Sequence, residues 1–193
     1  MGPLAEAAKA LGATYVTLPA IPDEFRKGLD GYRRTADLFN SIGENAAKNG
    51  VKFGYHNHGY GLKAVDGIVP LDLLLERTDP AKVLLEMDVF WTVAGGADPV
   101  SYLKRHSGRY RMLHLKDMKT LRTFSGDGGT ADQWIPLFES MTHVGNGALD
   151  IKSIITTAKA HGAQHFFVEQ DLAADPKAQL GASADYLKTL GFG

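Results

Sequence analysis

Strand-like runs and helix-like stretches take strict turns along this chain, and that order constrains the fold more than any other feature. The Ala-rich PLAEAAKALG closes at Gly12, and ATYVTLPA follows as a short strand ended by Pro19. Between Asp30 and Asn49, the residues Tyr32, Ala36, Phe39, Ile42 and Ala46 recur every three or four positions, which predicts one apolar helical stripe. VKFGYHNH then reads as a strand, LDLLLERTD as a helix and KVLLEMDVFW as a strand. DPVSYLKRHSG is a helix opened by Asp98 and Pro99, and YRMLHLKDM is the fourth strand. A Gly- and Thr-rich loop spans residues 120–147, with a short helix near DQWIPLFESM. LDIKSIITTAKAHG, AQHFFVEQD and DPKAQLGASADYLKTLG complete the series as helix, strand and helix. Such alternation gives an α/β fold of parallel strands joined by helical crossovers. No G-x-G-x-x-G follows a strand and no phosphate-cradling P-loop occurs, so the pattern favours a parallel (β/α) barrel over a dinucleotide-binding sheet.

Composition narrows the chemistry. With 193 residues, 44% hydrophobic and 22% charged, the chain suits a single domain over 1–193 with one core. The net charge of −1 without long charge blocks argues against nucleic acid and membrane surfaces and for a small-molecule partner. No stretch approaches a membrane span, and the start MGPLAEAAKALGATYV lacks the basic and apolar regions of a secretory signal, so the expected location is cytoplasmic. Cysteine is absent, which leaves His, Asp and Glu to carry any metal chemistry.

Strand side chains alternate between faces, so parity shows which of these residues point together. His56 and His58 oppose Phe53 and Tyr55, while Glu86 and Asp88 oppose Leu85 and Met87. His114 and Lys116 oppose Leu113 and Leu115, and Glu169 and Asp171 oppose Val168. A lone strand-end histidine or carboxylate is more often structural than functional. Four strands repeating one pattern near their C-terminal ends, where parallel α/β folds place their sites, are a different matter. Imidazoles and carboxylates at one depth supply nitrogen and oxygen donors suited to Mn²⁺, Zn²⁺, Co²⁺ or Mg²⁺. His106, His143, His161 and His165 lie at helix ends, in the long loop or at a strand start and carry no assigned role. Trp91 and Trp134 suit either a sugar-stacking wall or plain packing.

The segments YHNHGY, LEMDVFWTVAGGADP, LHLKDM, VGNGALD and FFVEQD, in this order, resemble the sugar phosphate isomerase/epimerase family of xylose-isomerase-like TIM barrels. The resemblance covers essentially the whole chain but begins at what looks like the fourth strand, implying about five βα units of the eight that close such a barrel. It implies a divalent metal held by His56, Asp88, His114 and Glu169, with Glu169 also moving a proton beside a carbonyl and Lys116 or His58 steadying the enolate. The expected activity is a metal-dependent sugar or keto-sugar isomerase or epimerase. The alternatives are a lyase, dehydratase or hydratase acting on a keto-glycoside or inosose, with His58 as acid, and a non-catalytic barrel fragment that binds metal or sugar. Two departures bear on the choice. His56 stands where many epimerases carry a first glutamate, and GNG at 145–147 lacks the glutamate often found between those glycines. Asp171 is expected to be dispensable for proton exchange. Open strand edges at Tyr15 and Phe167 point to a homo-oligomer.

Overall fold

The computed structural model describes residues 2–192. Helix α1 (Gly2–Ala10) leads to β1 (Tyr15–Leu18), α2 (Gly28–Lys48), β2 (Lys52–Asn57), α3 (Pro70–Arg77) and β3 (Val83–Asp88). The chain continues through α4 (Val89–Ala94), α5 (Pro99–Arg105), β4 (Tyr110–Leu115), β5 (Asp117–Met118), α6 (Ala131–Trp134) and β6 (Met141–Thr142). It ends with α7 (Ile151–Ala160), β7 (His165–Val168) and α8 (Pro176–Thr189). Five parallel strands pair in the order β1-β2-β3-β4-β7, a half-barrel with β1 and β7 as its edges. The incomplete α/β barrel expected from the alternation is therefore what forms. Among the described residues no helix is long and apolar enough to cross a membrane.

Helices cover the outer face of the sheet. The α2 stripe buries Tyr32, Ala36, Phe39 and Ala46, and the Phe39 ring meets Phe53 at 5.2 Å and Tyr55 at 5.3 Å on the outward side of β2. That contact fixes the parity of β2 and turns Gly54 and His56 inward. The sheet curls enough for its two edges to face each other, since the rings of Tyr15 on β1 and His165 on β7 lie 5.5 Å apart, edge to face.

Three elements differ from the sequence reading, each for a local reason. KVLLEMDVFW is strand only to Asp88, because the Asp88 side chain accepts a hydrogen bond from Trp91 N at 2.9 Å and caps a helix at once. YRMLHLKDM breaks after Leu115, and β5 pairs antiparallel with β6 at the far end of the supposed loop. The third difference is a β-bulge. Leu85 pairs with Tyr110 but Glu86 pairs with Met112, so β4 carries one extra residue there. Tyr110 faces outward toward Tyr102 of α5, whereas Met112 lies over Gly54 on the inner face. Beyond the bulge Asp88 sits opposite His114.

Candidate metal and catalytic site

The inward residues at the C-terminal ends of β2, β3, β4 and β7 form the floor of a cavity of about 730 Å³. His56, Asp88 and His114 each offer a donor atom within 4.8 Å of the others. Two donors on one ion at about 2.1 Å lie at most about 4.2 Å apart, so a shift of about half an ångström would let the three share an ion. Asp88 is fully buried; its Oδ1 accepts from Trp91 N at the start of α4, while Oδ2 has the Lys116 ammonium 3.1 Å away and His56 Nε2 at 3.8 Å, neither directed as a hydrogen bond. His56 Nδ1 is likewise without a hydrogen bond, although Glu86 Oε2 is 3.1 Å away. Both atoms lie beside a charged group but lack a well-directed hydrogen bond, so neither is fully satisfied. Two imidazoles and a carboxylate this close are a nitrogen and oxygen donor set that fits a divalent cation, which on binding would displace the Lys116 ammonium from Oδ2 and a proton from His114.

Glu169, expected in the same donor set, is not one of the three mutually close donors but touches one of them. It follows β7, and its Oε2 meets His114 Nδ1 at 2.5 Å and Lys116 Nζ at 3.0 Å. The place between the imidazoles belongs to Glu86, 3.1 Å from His56 and 3.4 Å from His114. Sequence reasoning put Glu86 on the right face but gave it no role; its even spacing from Asp88 was the available signal. Lys116, 2% exposed, donates to Asp171 Oδ2 at 2.7 Å and also lies 3.1 Å from Asp88 Oδ2. Asp171, expected to be dispensable for proton exchange, is the hydrogen-bond partner of this buried cation.

These contacts set the charges. Burial works against ionisation of Glu86, but the His114 and His56 imidazoles outweigh it and hold its carboxyl down at about 2. The hydrogen bond from His114 is the main reason the Glu169 carboxyl also lies at about 2. Burial opposes protonation of His114, yet Glu169 and Glu86 raise it to about 9. Burial likewise disfavours the Lys116 ammonium, and Asp88, Asp171 and Glu169 more than compensate, raising its pKa. Asp88 is raised by burial, partly offset by Lys116 and His56. His58 is lowered to about 4, first by burial and then by His56, whose ring it touches edge-on at 4.5 Å. A neutral His58 suits hydrogen bonding better than acid catalysis.

Aromatic side chains wall the cavity. Trp91, Trp134, Phe138 and Tyr60 line it, with Trp91 stacked on Phe124 at 5.9 Å. Arg26 ties two rim segments together, donating to Ile21 O at 3.1 Å and Gly129 O at 2.7 Å. The histidines without an assigned role have other partners: His106 lies 3.2 Å from Asp72, and His161 is 2.8 Å from Ser107 Oγ.

The GNG segment lies outside the cavity lining, and its partner is Asp117. That buried carboxylate accepts from Met118 N at 2.8 Å, Gly145 N at 2.9 Å, Gly147 N at 3.1 Å and Leu149 N at 3.2 Å. A Cβ at Gly147 would stand 2.1 Å from Asp117 Oδ1, which explains a glycine there. LHLKDM and VGNGALD are thus two halves of one structural knot.

Comparison with known proteins places this geometry in context. The family model described as Xylose isomerase-like TIM barrel matches residues 2–190. An inosose dehydratase from Geobacillus thermodenitrificans is 32% identical over 146 residues, 71% of this chain and 47% of that protein. The chain spans about half the length of the curated relatives it matches. A sugar phosphate isomerase/epimerase from Parabacteroides distasonis superposes with a TM-score of 0.78 at 29% identity, over 97% of this chain and 63% of the other. The zinc-bound IOLI protein has the same fold, with a TM-score of 0.74 at 18% identity over 98% of this chain and 66% of its own.

Proposed function

The chain belongs to the xylose isomerase-like TIM barrel family, and on that premise we propose that its site dehydrates a cyclic keto-polyol of the inosose type. The observation that carries the reading is Glu169. It is an ionised carboxylate at the cavity wall, 3.0 Å from the Lys116 ammonium and backed by His114. The low pKa keeps Glu169 ionised but makes it a weak base, so removal of a proton beside a carbonyl depends on stabilisation of the resulting enolate. His56, Asp88 and His114 would hold a divalent cation, which when bound polarises the carbonyl.

The residues of the chain supply the rest. Glu169 takes the proton from the carbon next to the carbonyl, and Lys116 faces the developing negative charge. The electron pair then forms the carbon–carbon double bond as the neighbouring hydroxyl departs. Glu169 can return its proton to that hydroxyl on the same face, so water leaves and the carboxylate is regenerated. His58, as a neutral imidazole, orients a substrate hydroxyl. Trp91 and Trp134 offer flat apolar surfaces to the C–H face of the ring. The inosose dehydratase relatives support this outcome. Epimerisation is the second reading, favoured by the Parabacteroides distasonis likeness. It needs an acid–base group on each side of the sugar, and the described site presents His56 where a second carboxylate would stand.

The test is to load the protein with metal and offer inososes and keto-sugars in D₂O. Deuterium should enter beside the carbonyl and water should be lost, giving a conjugated product seen in the ultraviolet. Glu169→Gln should abolish both while retaining its metal. Retention of exchange by metal-loaded Glu169→Gln would place the base elsewhere. Exchange without loss of water would select epimerisation, and metal binding with neither would select the non-catalytic reading.

A further inference from the structure

Lys116 and a divalent cation compete for the same oxygen. Asp88 has only Oδ2 to offer, because Oδ1 caps α4, and Lys116 Nζ already stands 3.1 Å from it. The ammonium also neutralises Glu169, 3.0 Å away, and is shut off from solvent at 2% exposure. Its shortest contact goes elsewhere, a hydrogen bond to Asp171 Oδ2 at 2.7 Å. A dication within bonding distance of Asp88 Oδ2 would face the ammonium across a few ångströms of a poorly solvated interior, where like charges repel strongly. Asp171 lies outside the donor trio and anchors the flexible lysine stem at 2.7 Å.

We propose that Lys116 is the resident counter-cation of the donor group: it balances Asp88 and Glu169 in the metal-free protein and gives up Asp88, keeping its existing bond to Asp171, when a divalent ion binds. This rests on the metal reading above but concerns a separate property. In the metal-free protein the lysine keeps the buried Asp88 carboxylate from standing unpaired, which protects the fold. In the loaded protein its charge opposes the ion and weakens binding. A site held ready in this way exchanges one counter-ion for another instead of collapsing when emptied.

The test uses the full chain, freed of metal by chelator, with Zn²⁺ alone as probe. Lys116→Met keeps the length of the side chain and removes the charge, while Lys116→Arg keeps the charge. Calorimetry should give Zn²⁺ binding at least tenfold tighter in Lys116→Met than in the wild type, and no tighter in Lys116→Arg. Thermal unfolding should show the metal-free Lys116→Met chain several degrees less stable, with a larger rise on adding Zn²⁺. If Lys116→Met fails to fold even with Zn²⁺, the wild type decides through the ¹⁵Nζ resonance of Lys116. That resonance must shift as Zn²⁺ saturates the site, and a constant resonance overturns the proposal. Equal or weaker binding by a folded Lys116→Met overturns the counter-cation alone. Zn²⁺ bound by neither wild type nor variant overturns the metal reading as well.

Discussion

Replacing Asp117 by alanine removes the acceptor of four backbone N–H groups at once, and the cost can be worked from the contacts. The carboxylate is fully buried, and its bonds of 2.8 to 3.2 Å reach Met118, Gly145, Gly147 and Leu149. Hydrogen bonds to a charged acceptor contribute about 1.5–3 kcal/mol each, but such losses do not add, since the loop can relax and admit water. Breaking a buried charged network costs about 4 kcal/mol, which for a chain of this size lowers Tm by about 8–16 °C. Asp117→Asn keeps one acceptor oxygen and turns an NH₂ toward the amides the other oxygen served, so it should cost about 2 kcal/mol, or about 4–8 °C. Asp98→Ala is the yardstick. It removes the cap of α5, which accepts from Ser101 N at 3.0 Å, and should cost about 1 kcal/mol, or about 2–4 °C. Thermal unfolding followed by circular dichroism ranks the three. Hydrogen exchange at the amides of Gly145, Gly147 and Leu149 locates the effect. An Asp117→Ala chain no less stable than Asp98→Ala, with those amides still protected, would refute the knot as a structural anchor.

Gly147→Ala should mimic Asp117→Asn in stability, because its Cβ would overlap Asp117 Oδ1; a midpoint equal to wild type would contradict this. Burial lowers the pKa of His106 below its ordinary 6.5, an effect only partly offset by Asp72. The unfolded chain thus binds this proton more readily than the folded one, and stability should fall as pH drops below about 6.5. His106→Gln should lose less stability than wild type between pH 7.5 and 5.5 in urea titrations, and an equal loss removes His106 as a contributor. β1 and β7 meet through the side chains of Tyr15 and His165 but do not pair as strands, and their unpaired edges motivate the proposal that a second copy covers them. Light scattering should report a dimer or larger, and a stable monomer at low concentration would contradict it.

The alternation of elements and the inward parity of His56, Asp88, His114 and Glu169 were legible because both follow from short-range periods, 3.6 residues for helices and two for strands. What escaped depends on contacts between distant parts of the chain. Glu86 looked like a neighbour of Asp88, and only the approach of β2 and β4 on either side puts it between two imidazoles. Glu169 had the right face, but its place after β7 gives it to His114 and Lys116 and leaves it outside the trio. The GNG segment drew attention for the acid it lacks, whereas its glycines answer to Asp117, some thirty residues earlier. The helix after Asp88 was hidden because Val89, Phe90 and Trp91 continue a strand-like apolar run, and one capping carboxylate decides the matter.

The bulge in β4 divides that strand into two reading frames. Tyr110 and His114 are four positions apart, an even spacing that would put them on the same face of a regular strand, yet one packs outside with α5 and the other lines the site. The single extra residue reconciles an outer surface fitted to α5 with an inner surface fitted to the cavity. Substitutions near Arg111 change one side chain at a time. The loss or gain of a single residue there would instead rotate His114 and Lys116 together out of the barrel and deliver Leu113 and Leu115 into it. The length of this segment is therefore constrained separately from the identity of its residues, and a relative with a different residue count between Tyr110 and His114 would need to rebuild either its α5 packing or its chemistry.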